Sequence, residues 1–152
     1  MNYIARKFAM VLVVLGFAAM AMPAQSLAQE VDQSPASILS KAEAANVDRQ
    51  IMILRNPGER RMAAGWSDAK KMAEMICRPA ALGILQKQNK ALDRVFLGTD
   101  DPTSLTLESN ARLTGTGEYR TPQGWQNISF VCEVNPATAK VTSFQSTLLP
   151  AQ

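Results

Sequence analysis

The first 28 residues constrain this chain more than any that follow. Arg6 and Lys7 give a short positive start, Phe8 to Met22 is an uncharged apolar run of fifteen residues, and Pro23 breaks it. Ser26-Leu27-Ala28 then puts small residues at the two positions a signal peptidase reads. Basic start, apolar middle and small-x-small end are the pattern of a secretory leader, cut here between Ala28 and Gln29. The run is shorter than the roughly twenty apolar residues that span a bilayer. Gln29 is not the cysteine that lipid attachment needs, and Arg6-Lys7 is not a twin-arginine pair. The expected product is periplasmic or secreted, with no stable membrane insertion once the leader is gone.

Residues 29–33 read as a loose N-terminus and 34–152 as a single domain, long enough to bury a core of its own. The full chain has 16 basic and 13 acidic residues. Arg6 and Lys7 leave with the leader, so the product carries 14 and 13, a net charge of +1. The basic balance belongs to the precursor, which argues against nucleic acid as a partner. What charge remains is uneven. Lys41 to Arg94 holds eleven basic and six acidic residues, and Phe96 to Gln152 three and five. A basic helical half could attract an acidic surface or anionic lipid, although Lys and Arg alternating with Glu and Asp also describe an ordinary solvated helix face.

Export places Cys77 and Cys132, the chain's two cysteines, in an oxidising compartment, where such a pair forms one disulfide. They are not in C-x-x-C redox spacing, and the chain has no histidine to complete a metal site or activate a thiolate.

The period of the apolar residues divides the product in two. Ser34-Pro35 is a helix start, and the spacing predicts a helix to about Leu54 with a break near Asn46, ended by Asn56-Pro57-Gly58. Met62, Trp66, Ala69, Ala73 and Ile76 then form one stripe over Glu59–Cys77. Gly65 and the Ser67-Asp68 pair leave a later start for that helix open. Pro79 is expected to end or kink it, with a further helical piece to about Ala91. After Leu92 the period changes to two. Strands are expected at Arg94 to Leu97, around Leu105 and Leu107, from Ala111 to Arg120 with a bulge at Gly115 and Gly117, from Trp125 to Val134, and from Lys140 to Leu148. The last has mixed parity, which reads as partial cover on both faces. Thr121-Pro122-Gln123-Gly124 and Asn135-Pro136-Ala137-Thr138 are the turns. The expected fold is α+β: N-terminal helices over about 35–92 packed on a C-terminal antiparallel meander of four to five strands over about 93–148. The Cys77–Cys132 bridge would join helix to sheet where the stripe meets the Ile128, Phe130, Cys132 and Val134 face.

No pattern names a reaction. Catalysis needs groups whose pKa can be tuned, and the chain offers neither histidine nor free thiol. Asp100-Asp101 in a loop, with Glu108 and Glu118 further on, is the one carboxylate grouping for a small hydrolase or a calcium site, but its spacing matches no calcium loop. No cofactor is implied. Gly115-Thr116-Gly117 lacks the lysine of a phosphate loop, and Asn127-Ile128-Ser129 matches a glycosylation acceptor in mid-strand. Trp66 lies on the core stripe. Trp125 has the opposite parity to Ile128 and should face away from the core. With Tyr119 across the hairpin it is the one feature that reads as a contact surface, for an envelope protein or a small ligand.

The segments Cys77, Asp93-Arg94-Val95, Gly117-Glu118-Tyr119-Arg120, Gly124-Trp125, Ile128-Ser129-Phe130-Val131-Cys132 and Val141-Thr142-Ser143-Phe144 resemble the bacterial family catalogued as domain of unknown function 930, over about residues 60–148. The chain departs from that family's pattern at Arg78-Pro79-Ala80, where an acidic residue is expected after the first cysteine. The resemblance implies an exported, disulfide-containing domain and no catalytic residues.

Overall fold

The computed structural model describes residues 37–150. The expected leader with its expected cut between Ala28 and Gln29, residues 29–33 and the Ser34-Pro35 pair lie outside the described residues. The first helix, α1 (Lys41–Met52), is built on a signal the leading Ser-Pro pair overshadowed. The Ser40 hydroxyl accepts the Glu43 N–H, and the Glu43 carboxylate accepts the Ser40 N–H at 2.8 Å, a capping box that satisfies two otherwise orphaned donors. Residues 37–40 are therefore not helical. No break occurs at Asn46, because Val47 and Ile51 stay on one buried face through it.

Asn56-Pro57-Gly58 opens a helix rather than closing one. Asn56 Oδ1 accepts the Gly58 N–H at 2.7 Å and Pro57 takes the first position of α2 (Pro57–Ala64). Gly65 ends α2 and Ser67 caps α3 (Asp68–Lys71), so the stripe drawn from Met62 is cut in two. Met62 consequently points outward, 66% exposed. From α3 the chain runs on through a π-helical segment (Met72–Cys77) into α4 (Arg78–Gln88). π winding bonds residue i to i+5, so residues five apart share a face. Met72, Ala73, Ile76 and Cys77 of this segment are buried, and the Arg78 N–H reaches back to the Ala73 carbonyl. The wider turn makes room for the ring of Pro79, which does not end the helix. Asn89 does: its backbone turns extended, and its side chain accepts the Ala91 N–H at 3.1 Å, so α4 stops short of Ala91.

The sheet holds β1 (Arg94–Leu97), β2 (Leu105–Ser109), β3 (Arg112–Thr121), β4 (Gly124–Asn135) and β5 (Lys140–Leu148), all antiparallel. β3, β4 and β5 form the expected meander. β1 and β2 both pair with β3, along residues 117–120 and 112–115, so they make one edge line interrupted by an excursion over 98–104. Gly115 and Gly117 flank the interruption. They are not a bulge: both keep regular register with β4. They are glycines because backbone lies against them. A Cβ at Gly115 would run into the Ser104 carbonyl, and one at Gly117 into the Phe96 carbonyl. Irregularities lie elsewhere: between Leu107 and Ser109 in the β2–β3 pairing, and in β5, where Val134 pairs with Val141 but Cys132 with Phe144. The extra residue flips parity, and both Val141 and Phe144 turn toward the core. The mixed pattern of β5 is thus a bulge, not two covered faces.

One face of the sheet carries Val95, Leu97, Leu113, Ile128, Phe130, Cys132, Val134 and Phe144, all buried. Phe130 and Phe144 stack at 5.7 Å. The helical residues Val47, Ile51, Ala63, Met72, Ala73, Ile76, Ala81 and Leu85 belong to the same core. Cys77 and Cys132 form the predicted disulfide between the layers, with both cysteines fully buried. Among the described residues no helix is long and apolar enough to cross a membrane.

This packing makes three outcomes measurable. Cys77→Ser, Cys132→Ser and reduction should each lower unfolding free energy by about 4 kcal/mol in the loop-closure model, measured by denaturant melts; unequal losses would separate the bond from the packing of each sulfur. Gly115→Ala or Gly117→Ala should cost about 1–3 kcal/mol by overpacking. Gly83→Ala, at an exposed position of α4 where a Cβ meets nothing, should gain about 0.5–1 kcal/mol.

Candidate functional site

The two-residue turn Pro122-Gln123 sets the register of the β3–β4 hairpin, and the register sets the site. Thr121 pairs with Gly124, so Arg120 faces Trp125, Tyr119 faces Gln126 and Glu118 faces Asn127. β1 continues both outward rows: Arg94 beside Arg120, and Phe96 beside Glu118. On the sheet face away from the helices this makes a patch of Arg94, Arg120 and Trp125 next to Phe96, Glu118 and Asn127.

Trp125 reaches diagonally across β3 to stack on Phe96, with ring centroids 5.6 Å apart and planes 26° from parallel. The Arg120 guanidinium lies 5.6 Å from the Trp125 ring centroid, within cation–π range. Asp93, immediately before β1, holds that guanidinium at two points: Arg120 Nε donates to Oδ1 at 2.9 Å and Nη2 to Oδ2 at 2.5 Å. The Asp93 N–H also donates to the Arg120 carbonyl at 3.2 Å. A planar two-point pair of this kind orients as well as attracts. Trp125 is thus 45% exposed and yet held by neighbours on two strands.

Tyr119 is not part of this surface. Facing Gln126, it sits on the helix side of the sheet, packs at the margin of the core and donates its hydroxyl to Gln126 Oε1 at 3.0 Å. Adjacent hairpin residues point to opposite faces, and counting outward from the turn puts Arg120, not Tyr119, across from Trp125. The same count could have found Arg120 from sequence. Phe96 and Asp93 were legible only with the β1–β3 register in hand.

Beside the patch a polar cleft of about 390 Å³ opens where the 98–104 excursion leaves the edge. Phe96 is its shared wall, and Thr99, Asp100, Glu118, Asn127, Lys70 and Glu74 also line it. Glu74 is already neutralised there, with Lys70 Nζ at 2.8 Å and Arg78 Nε at 2.9 Å. Of the carboxylates singled out from sequence, Asp100 and Glu118 share this cleft and Asp101 does not line it. Asp101 Oδ1 accepts the backbone N–H and the hydroxyl of Thr103, each at 2.8 Å, capping the single turn Pro102–Ser104. The Thr103 N–H holds its carboxyl below the ordinary aspartate range. Among the described residues no three histidine, cysteine, aspartate or glutamate side chains converge as a metal site would require.

No family model, curated protein or solved structure matches the chain. The geometry itself offers a rigid aromatic patch with an adjoining hydrogen-bonding cleft, an arrangement suited to recognition.

The Asp93–Arg120 pair gives this patch a defined acid response. Hydrogen bonds from Arg120 hold the Asp93 carboxyl below its ordinary range. A carboxyl that titrates lower folded than unfolded adds stability above the unfolded value, about 4, and loses it as pH falls through the folded value. In a Trp66→Phe background, Trp125 emission should therefore stay constant from about pH 8 to 5 and change below about 4. Asp93→Asn should abolish that acid step and give the altered emission at neutral pH.

Proposed function

We propose that this chain is an exported, non-catalytic binding module of the bacterial periplasm or envelope, and that it belongs with the exported proteins of domain of unknown function 930 that it resembles. Its contact surface is the outer sheet face centred on Trp125, Phe96 and Arg120, and its partner an envelope protein or a small ligand. One observation carries this reading. A large aromatic side chain stands half in solvent while stacking and a clamped arginine fix its position. Immobilised aromatic and arginine side chains dominate binding interfaces because little conformational entropy remains to be lost on contact. The leader-like first 28 residues and the paired cysteines support export, since disulfides persist in oxidising compartments.

A hydrolase or calcium site on Asp100, Asp101 and Glu118 finds less support, because Asp101 is committed to its own turn.

The reading is tested by affinity retention from a native envelope fraction, followed by titration of the retained partner. Trp125→Ala should weaken that partner's binding more than tenfold, the scale of an aromatic hot spot, while melting within about 1 kcal/mol of the parent. A partner held equally by parent and Trp125→Ala would remove this face from consideration. A calcium-dependent rise in melting temperature that Asp100→Ala eliminates would favour the carboxylate site instead.

A further inference from the structure

The corner where α1 meets α2 carries a second surface, on the layer opposite the Trp125 face. Met52 and Ile53, at the end of α1, are 73% and 71% exposed, and Met62 in α2 is exposed as well. Exposed Arg49, Arg55 and Arg61 and half-buried Arg60 stand among these apolar side chains. No ion pair among the described residues involves any of the four, whereas Arg78, Arg112 and Arg120 each meet a carboxylate. From Asp48 to Met62 the acidic residues are Asp48 and Glu59 against four arginines, which leaves a local charge of +2. The corner is also held in shape. Arg60 Nη1 donates to the Leu54 carbonyl at 2.6 Å and to the Arg55 carbonyl at 3.3 Å, fastening the start of α2 to the end of α1.

Apolar tips among uncompensated guanidinium groups complement a surface that is anionic on top and apolar beneath. The headgroup–acyl boundary of an anionic bilayer is such a surface. An acidic protein or a nucleic acid would satisfy the arginines and leave Met52 and Ile53 in water. We propose that the α1–α2 corner docks the domain reversibly on bilayers rich in anionic lipid, its arginines on lipid phosphates and Met52 and Ile53 in the acyl boundary. This goes beyond the binding role of the sheet face and does not rest on it.

The core, the disulfide and every described element lie within residues 37–150, inside one compact unit. Protein beginning at Gln29 therefore carries the fold without the apolar run that would itself enter lipid. Co-sedimentation of this protein with phosphatidylglycerol–phosphatidylcholine vesicles, and with phosphatidylcholine alone, tests the assignment. It should bind the anionic vesicles and not the neutral ones, and added salt should weaken binding. Met52→Ser with Ile53→Ser, and separately Arg55→Ala with Arg61→Ala, should each reduce partitioning roughly tenfold or more. Both variants should melt with the parent, and Trp125→Ala should bind vesicles as the parent does. Failure to bind anionic vesicles, or equal binding to both kinds, would overturn the proposal. So would loss through the arginine changes alone, which would mark a purely electrostatic site for an acidic macromolecule.

Discussion

The bond between Cys77 and Cys132 is the constraint from which the rest of the architecture follows. Cys132 lies on β4, flanked by β3 on one side and β5 on the other, and Cys77 closes the π-helical segment. Joining those two points fixes which side of the helical run meets the sheet and where along the strands it does so. Met72, Ala73 and Ile76 are then committed to the core that includes Phe130, Val134 and Phe144. Among the described residues the helices cover one face of the sheet, and the residues pointing the other way form a separate surface.

That surface depends in turn on the edge line of β1 and β2. Phe96 reaches Trp125 because β1 lies directly against the C-terminal half of β3, and Gly117 permits that approach at its tightest point. Asp93 stands at the entry to β1 and is tied to Arg120 through both backbone and side chain. The strand that carries one aromatic ring is therefore positioned by the residue that fixes the cation beside the other. Packing and electrostatics act here on the same few backbone atoms.

Much of this order was written in local signals. Two-residue periodicity marks all five strands of the sheet, the Pro122-Gln123 turn marks the hairpin, and the disulfide is expected from two cysteines in a chain whose first 28 residues read as a leader. Other features depend on interactions that no short window contains. The capping box at Ser40 and Glu43 sets the start of α1 because it satisfies two donors reciprocally. The π segment leaves no mark in the apolar spacing, and the β5 bulge imitates a strand covered on both sides. Tyr119 reads as the residue across the hairpin from Trp125, but a count outward from the turn puts Arg120 there. Gly115 and Gly117 looked like weak points of a strand, yet their meaning lay in the carbonyls of a neighbouring segment. The aromatic patch was half legible for the same reason: Trp125 showed in its parity, but its stacking partner comes from a strand nearly thirty residues upstream.

The interrupted edge has an evolutionary corollary. Since β1 and β2 are each paired with β3 independently, the stretch between them can lengthen, shorten or change composition without shifting either register, and lengthening a loop costs chain entropy only slowly. Thr99 and Asp100, on that stretch, contribute to the cleft wall. The cleft wall can thus vary among descendants of this domain by exchange of one short surface segment, while the framework beneath it stays the same.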